Sequence, residues 1–153
     1  MVARHQVSPL DSHLGYWLRY VSNHVSHAFK AKIESRGITV AEWVVVRALY
    51  DVKVGAAHVL ADELGLTRGA VSKLVDRLVA KSLVTKRLSK NDRRYQELAL
   101  TPTGRGLVPQ LAALADGNDE EFFGVLKRQE REFLAELLKR IVQSRGLKTV
   151  PID

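Results

Sequence analysis

Two groups of residues in this sequence have the types and spacing to grip a polyanion. In the first, Thr67 and Arg68 are followed by Ser72, Lys73 and Arg77, while Val71, Leu74, Val75 and Leu78 fall at i, i+3, i+4 and i+7. On a helix that spacing gathers the four apolar residues on one side and leaves Arg68, Ser72, Lys73, Asp76 and Arg77 outside. An α-helix fits the major groove of B-DNA and presents the side chains of its first turns to base edges. Lys73 can then donate to guanine O6 or N7 and Ser72 to either base type, whereas Arg77, one turn further on, is better placed for phosphate. In the second group Lys90, Asn91, Asp92, Arg93 and Arg94 are consecutive. Arginine is favoured by the negative potential of a narrow minor groove. Asp92, set among these cations, can accept loop N–H groups or pair with a neighbouring Arg and so fix the shape of the loop. A lone basic helix or a lone charged turn is ordinarily a solvated face. The two together are what a groove-reading helix and its companion loop require.

The same sequence offers little for bond-making chemistry. It has no Cys, which removes thiol nucleophiles, thiolate metal sites, disulfides and thiol redox switches. No Walker loop, G-x-S-x-G, H-E-x-x-H or G-x-G-x-x-G run occurs, and the five His lie far from any paired-nucleophile pattern. His24 and His27, at i and i+3, could share a metal, but two ligands without a third make an incomplete site. An enzyme is therefore not expected, nor a metal or other cofactor.

Charge agrees with the residue types. The chain has 153 residues, 24 Lys and Arg against 17 Asp and Glu, and a net charge of +7. Between Leu66 and Arg105 lie ten basic and three acidic residues, so this segment holds the whole of the net charge and the remainder is neutral. A basic footprint on a neutral background is a candidate site for a polyanion, with a solvated basic face as the equal alternative on charge alone; the helix and loop above select double-stranded DNA as the expected partner. Hydrophobic residues make up 46% and charged residues 27%, values of a folded globular chain. The stretch Met1–His13 lacks an apolar signal core, and the richest apolar run, Val40–Tyr50, is interrupted by Glu42 and Arg47. Neither export nor membrane insertion is expected, and the default is a cytoplasmic protein.

The elements that must position the two groups follow from periodicity and punctuation. Leu10, Leu14, Leu18, Val21, Val25, Phe29 and Ile33 recur every three to four residues and predict one long amphipathic helix, ended by Gly37. Thr39 with Glu42 forms a capping box for a helix running to about Asp51. A short helix is predicted at about Ala57–Leu64, with Gly65 as its stop and no capping residue at its start. Thr67 caps the helix that carries the first basic group. Leu83–Leu88 and Tyr95–Leu100 read as two strands of a hairpin with the second basic group at its tip. Thr101-Pro102 opens a helix of roughly 102–126, with Gly117 and Asn118 expected to kink it, and another helix spans roughly 128–144. Two helices joined by the turn Gly65-Leu66-Thr67 and followed by a basic hairpin spell a winged helix-turn-helix. The fold class is thus mainly α with a small β-hairpin wing. The outer helices carry apolar stripes (Leu107, Leu111 and Leu114; Phe122, Phe123 and Leu126; Phe133, Leu134, Leu137, Leu138 and Ile141) that the small central module can cover only in part. A second copy would cover the rest; the alternative, a closed monomeric bundle, ranks lower because a palindromic operator needs a two-fold protein.

Ile38-Thr39-Val40-Ala41-Glu42-Trp43, Leu60–Leu66, Val71-Ser72-Lys73-Leu74-Val75-Asp76-Arg77-Leu78, Leu83-Val84, Asp92-Arg93-Arg94 and Leu100-Thr101-Pro102-Thr103-Gly104 resemble, in order and spacing, the MarR (multiple antibiotic resistance) transcription regulators. The resemblance runs over most of the chain. It implies a single domain over 1–153, with a winged-helix core at about 38–101 between dimerisation helices at about 10–36 and 102–146. It implies a homodimeric repressor released from DNA by a small aromatic or otherwise amphipathic ligand. The same resemblance places an effector site at the junction of the first, second and fifth helices, where Tyr16, Trp17, Tyr20, His24, Trp43 and Arg47 are the candidates. Trp43 and Arg47 are i and i+4, an apolar plate and a cation suited to an aromatic carboxylate or phenolate; the plain alternative is that Trp43 is core and Arg47 pairs with an acid on another helix. Three positions depart from the usual family pattern: Lys73 stands where Arg is commoner, Glu42 where Gln is frequent, and Lys127 where a capping Ser or Thr opens the last helix. The rival reading is a winged-helix architectural or protein-interaction module with no effector.

Overall fold

Three threonine hydroxyls mark where the central helices begin. In the computed structural model, which describes residues 7–148, Thr39 Oγ1 accepts from the Glu42 amide at 3.1 Å while the Glu42 carboxylate accepts from the Thr39 amide at 3.0 Å. This box opens α2 (Val40–Tyr50), which follows the long α1 (Leu14–Glu34). Thr67 Oγ1 accepts from Ala70 N and opens α4 (Arg68–Ala80). Thr101 Oγ1 accepts from Gly104 N and, with Pro102 at the first helical position, opens α5 (Pro102–Phe123). Between α2 and α4 lies α3 (Ala57–Leu64), which has no side-chain cap and ends at Gly65 in the left-handed conformation (φ +65°). The last helix, α6 (Arg128–Arg145), starts where the Lys127 amide donates to Glu130 Oε2 at 2.7 Å.

The sheet is larger than a hairpin. Strands β2 (Val84–Leu88) and β3 (Gln96–Leu100) pair antiparallel, and a two-residue strand, β1 (Gly55–Ala56), adds to the other edge of β3 to give the order β1-β3-β2. The pairing of Gly55 with Leu98 and Ala56 with Glu97 ties the entrance of α3 to the wing, and so replaces the anchorage that a capping side chain would otherwise supply. The core is built from Ile33 of α1, Val45, Val46 and Leu49 of α2, Val71, Val75 and Leu78 of α4, Leu98 of β3, and Val108 and Leu111 of α5, all buried.

One expectation is corrected. The first helix does not begin at Leu10: Leu10–Ser12 form a single 3-10 turn, His13 is extended (φ −91°, ψ 126°), and α1 starts at Leu14. The Ser12 hydroxyl and amide both bond the Pro9 carbonyl, closing a local turn in place of a helical one. Helix α5 is one helix from Pro102 to Phe123 with Gly117 and Asn118 inside it. Asn118 is buried because its amide is used between helices: Nδ2 donates to Val25 O at 3.2 Å and Oδ1 accepts from Lys32 Nζ at 2.8 Å. A polar residue that weakens a lone helix is here the tie between α5 and α1. Of the Met1–His13 stretch, residues 1–6 lie outside the described residues. Among the described residues no helix is long and apolar enough to cross a membrane.

Candidate nucleic-acid interface

Helix α4 turns Val71, Leu74, Val75 and Leu78 into the core, so Arg68, Ser72, Lys73, Asp76 and Arg77 are exposed on the opposite side. Thr67, at the cap, is exposed as well. The apolar spacing that fills the core therefore also aims the polar residues outward.

The wing tip is folded by Asp92 and Ser89. Ser89 N donates to Tyr95 O at 2.9 Å and Tyr95 N to Asp92 O at 3.1 Å, closing the turn. The Asp92 carboxylate accepts from the Arg94 amide at 3.0 Å and from the Arg94 guanidinium through Nε at 3.0 Å and Nη2 at 2.7 Å. These bonds to Arg94 hold the Asp92 carboxyl below the ordinary aspartate range. Arg94 is thereby fixed to the loop with one edge free, while Lys90, Asn91 and Arg93 stand exposed beside it.

Internal pairing sorts the ten cations of the basic segment. Lys81 donates to Glu42 Oε2 and to Gly37 O, both at 2.7 Å; Lys86 pairs with Asp76; Arg87 Nε donates to Glu97 Oε2 at 2.9 Å; and Arg105 donates to the carbonyls of Tyr50 and Val52 at the end of α2. Arg87 holds Glu97 below the ordinary glutamate range. By contrast Arg68, Lys73, Arg77, Lys90 and Arg93 make no side-chain hydrogen bond or ion pair among the described residues. All five belong to the two groups singled out in the sequence. The cations left available for phosphate are on the outer face of α4 and at the wing tip.

The candidate effector residues fall into two sets. Tyr16, Trp17, Tyr20 and His24 form a continuous aromatic group along α1, with centroid separations of 5.2 Å for Tyr16–Trp17, 6.1 Å for Tyr16–Tyr20 and 5.1 Å for Tyr20–His24. Beside them a shallow groove of about 230 Å³ is lined by Tyr16, Arg19, Tyr20, Asn23 and His24. Trp43 lies apart, edge-on to Phe29 at 6.5 Å and packed against the core. Arg47 donates to Asp51 Oδ2 at 2.7 Å, an acid on its own helix end, and stands over the Tyr50 ring. Among the described residues no cluster of three or more His, Asp or Glu could hold a metal.

Sequence reasoning missed the surface that joins α3 to the wing. A cleft of about 360 Å³ there is lined by His58, Arg68, Ser72, Arg94 and Tyr95, with Val71, Val75 and Leu88 on its apolar side. Its one local signal, a His ring opposite a Tyr ring, becomes visible only once the β1–β3 register is known.

Comparison with known proteins places these features among relatives. A family model described as the MarR family matches residues 36–94. The HTH-type transcriptional regulator MhqR of Bacillus subtilis (strain 168) is 28% identical over 109 residues, covering 71% of this chain and 75% of that protein. The transcriptional regulator HosA of Escherichia coli O157:H7 is 25% identical over 119 residues, covering 77% and 87%. The solved structure of Bordetella bronchiseptica BpsR, described as regulated in its DNA binding by 6-hydroxynicotinic acid, superposes with a TM-score of 0.77 at 26% identity over 89% of this chain and 97% of that one. A cysteine-to-serine mutant of E. coli MarR, complexed with operator DNA, shares the fold, with a TM-score of 0.76 at 24% identity over 88% and 99% of the chains.

Proposed function

We propose that this chain, which the MarR family model matches over residues 36–94, is a MarR-type DNA-binding transcription regulator and a homodimeric repressor released from a palindromic operator by a small aromatic acid. The observation that carries the reading is the sorting of cations: among the described residues Arg68, Lys73, Arg77, Lys90 and Arg93, on one helix face and one loop, have no side-chain ion-pair or hydrogen-bond partner, while their neighbours are engaged by internal partners. On this reading residues 38–101 form the DNA-binding core. Thr67 and Ser72 lie at the groove with Lys73 reading bases, Arg68 and Arg77 meet phosphate, and Lys90, Asn91, Arg93 and Arg94 enter the minor groove with Asp92 shaping their loop.

Dimerisation is supported by what one chain leaves uncovered. Helix α6 has no buried residue, and Phe133, Leu138, Ile141 and Val142 are exposed along it, as are Leu10, Leu14, Leu18 and Val21 at the other end of the chain. The segments 10–36 and 102–146 would supply the shared interface. We place the effector on the Tyr16–His24 face of α1, where aromatic rings adjoin Arg19, a cation without an ion pair among the described residues. Support for an aromatic acid comes from the regulation of BpsR by 6-hydroxynicotinic acid.

The test is selection of bound duplexes from a random-sequence pool, followed by competition with simple aromatic carboxylic acids. A two-fold symmetric site with half-sites about 10 base pairs apart, and release by one such acid, is the expected result. Retention of random duplexes without any consensus would overturn the regulator reading in favour of an architectural binder.

A further inference from the structure

We infer that His58, a residue with no direct role in the DNA contacts proposed above, is a positioning residue that braces the wing tip through its ring. The β1–β3 register explains why it is there. Gly55 lies opposite Leu98 and Ala56 opposite Glu97; continued two residues past the end of the ladder, the same antiparallel register brings position 58 opposite position 95. At that point backbone pairing has given way to side-chain stacking. The His58 and Tyr95 rings lie 4.2 Å apart at an interplanar angle of 33°, the nearest pair of rings among the described residues.

Tyr95 is the root of the wing tip. It sits immediately before β3, beyond the last β2–β3 pair of Leu88 with Gln96. Its carbonyl accepts from Ser89 N, its amide donates to Asp92 O, and the Arg94 guanidinium, held by Asp92, lies 5.7 Å from its ring centre. The chain of contacts therefore runs from α3 through His58 and Tyr95 to Arg94 and Asp92. A brace at Tyr95 fixes the inclination of the tip to α4, because α3 packs on α4 and both line the same cleft.

The chemistry of the brace is that of an aromatic plate. His58 Nδ1 is buried and has no hydrogen-bond partner among the described residues. A buried nitrogen without a partner contributes nothing polar, so a hydrocarbon ring of similar size should serve as well or better. The inference rests on the reading of the wing as a DNA contact, and its test separates the two.

Binding to a duplex selected by the wild-type chain is measured for His58→Ala, His58→Phe, Arg93→Ala and the double variant His58→Ala/Arg93→Ala, with amide hydrogen exchange at residues 89–95 read without DNA. His58→Ala should weaken binding about tenfold and speed exchange at the tip, while His58→Phe retains wild-type affinity and protection. In the Arg93→Ala background the further loss on adding His58→Ala should shrink to less than about twofold, because the brace acts through the tip. Loss of affinity by His58→Phe equal to that of His58→Ala, or an undiminished loss in the Arg93→Ala background, would overturn the inference. If Arg93→Ala binds as tightly as wild type, the wing is not a DNA contact and the role of His58 in binding falls with it. Altered exchange would then still report the brace, and unaltered exchange would dismiss it as well.

Discussion

Replacing Gly104 by alanine tests how the wing is locked to α5. Gly104 is the third residue of α5 and is buried against the start of β2. A Cβ built there would lie 2.1 Å from Leu83 O, 3.0 Å from Leu83 C and 3.3 Å from Leu83 Cα, all of them backbone atoms. The Leu83 carbonyl cannot withdraw freely. It accepts from Thr101 N at 3.0 Å, Leu83 N donates to Leu78 O at 2.9 Å, and Thr101 Oγ1 donates to Ser82 O at 2.7 Å while capping Gly104 N. Restoring ordinary contact requires a shift of about 1 Å in a segment held by several hydrogen bonds, so the cost should reach or exceed the upper end of the overpacking range, about 3 kcal/mol. Against a total stability of roughly 5–15 kcal/mol that is a large fraction. Gly106, two residues on, is exposed and has nothing within 4 Å of its would-be Cβ. Gly106→Ala should therefore stabilise by up to about 1 kcal/mol through helix propensity alone. Urea unfolding followed by Trp fluorescence measures both. A Gly104→Ala variant as stable as wild type, or indistinguishable from Gly106→Ala, would refute the docking of α5 on Leu83.

Lys81→Met strands the buried Glu42 carboxylate with the Thr39 amide as its remaining partner and should cost about 2–3 kcal/mol in urea unfolding, discounted for the partial exposure of Lys81. Lys86→Met, whose Asp76 partner is exposed, should cost less than about 1 kcal/mol, and equal losses would contradict the clamp. Because Arg94 lowers the Asp92 pKa, the Asp92–Arg94 pair is fully formed above the unfolded aspartate value of about 3.9 and is lost only as pH falls through the lower folded value. Carbon NMR titration of Asp92 should give a midpoint below about 3.9 that returns toward it in Arg94→Ala; a wild-type midpoint above about 3.9 would exclude the pair. Ile141→Asp should convert a species of about 34 kDa into one of the chain mass, 17.1 kDa, in sedimentation, whereas an unchanged mass would remove α6 from the interface.

What is legible in the sequence is local. Thr39 with Glu42, Thr67, and Thr101-Pro102 each carry the groups that satisfy a helix start within three residues, so the helix starts follow from neighbours alone. The inward and outward faces of α4 follow from the helical period in the same way. What stays hidden depends on partners distant in sequence. Gly55-Ala56 has no alternation and becomes β1 only because β3 offers an edge. Arg105 counts as basic in the sequence but is engaged by the carbonyls of Tyr50, the last residue of α2, and of Val52 just beyond it. Asn118 reads as a weak point of a helix until Val25 and Lys32 of α1 take up its amide. The spacing of Tyr16, Tyr20 and His24 places them on one helix face, whereas Trp43 and Arg47 join them only through resemblance, and the structure gives those two partners of their own.

The salt dependence of operator binding tests the central claim most directly. Removing one phosphate-binding cation should make the slope of log K against log salt shallower by about 0.9, so Arg77→Ala, acting in both subunits of a dimer, should reduce it by about 1.8. Arg87→Ala and Arg105→Ala remove cations already engaged with Glu97 and with the carbonyls of Tyr50 and Val52, and should leave the slope unchanged, as should Arg140→Ala on α6. Equal reductions for Arg77→Ala, Arg87→Ala and Arg105→Ala would contradict the sorting of the basic segment into free and engaged cations on which the proposed DNA interface is built.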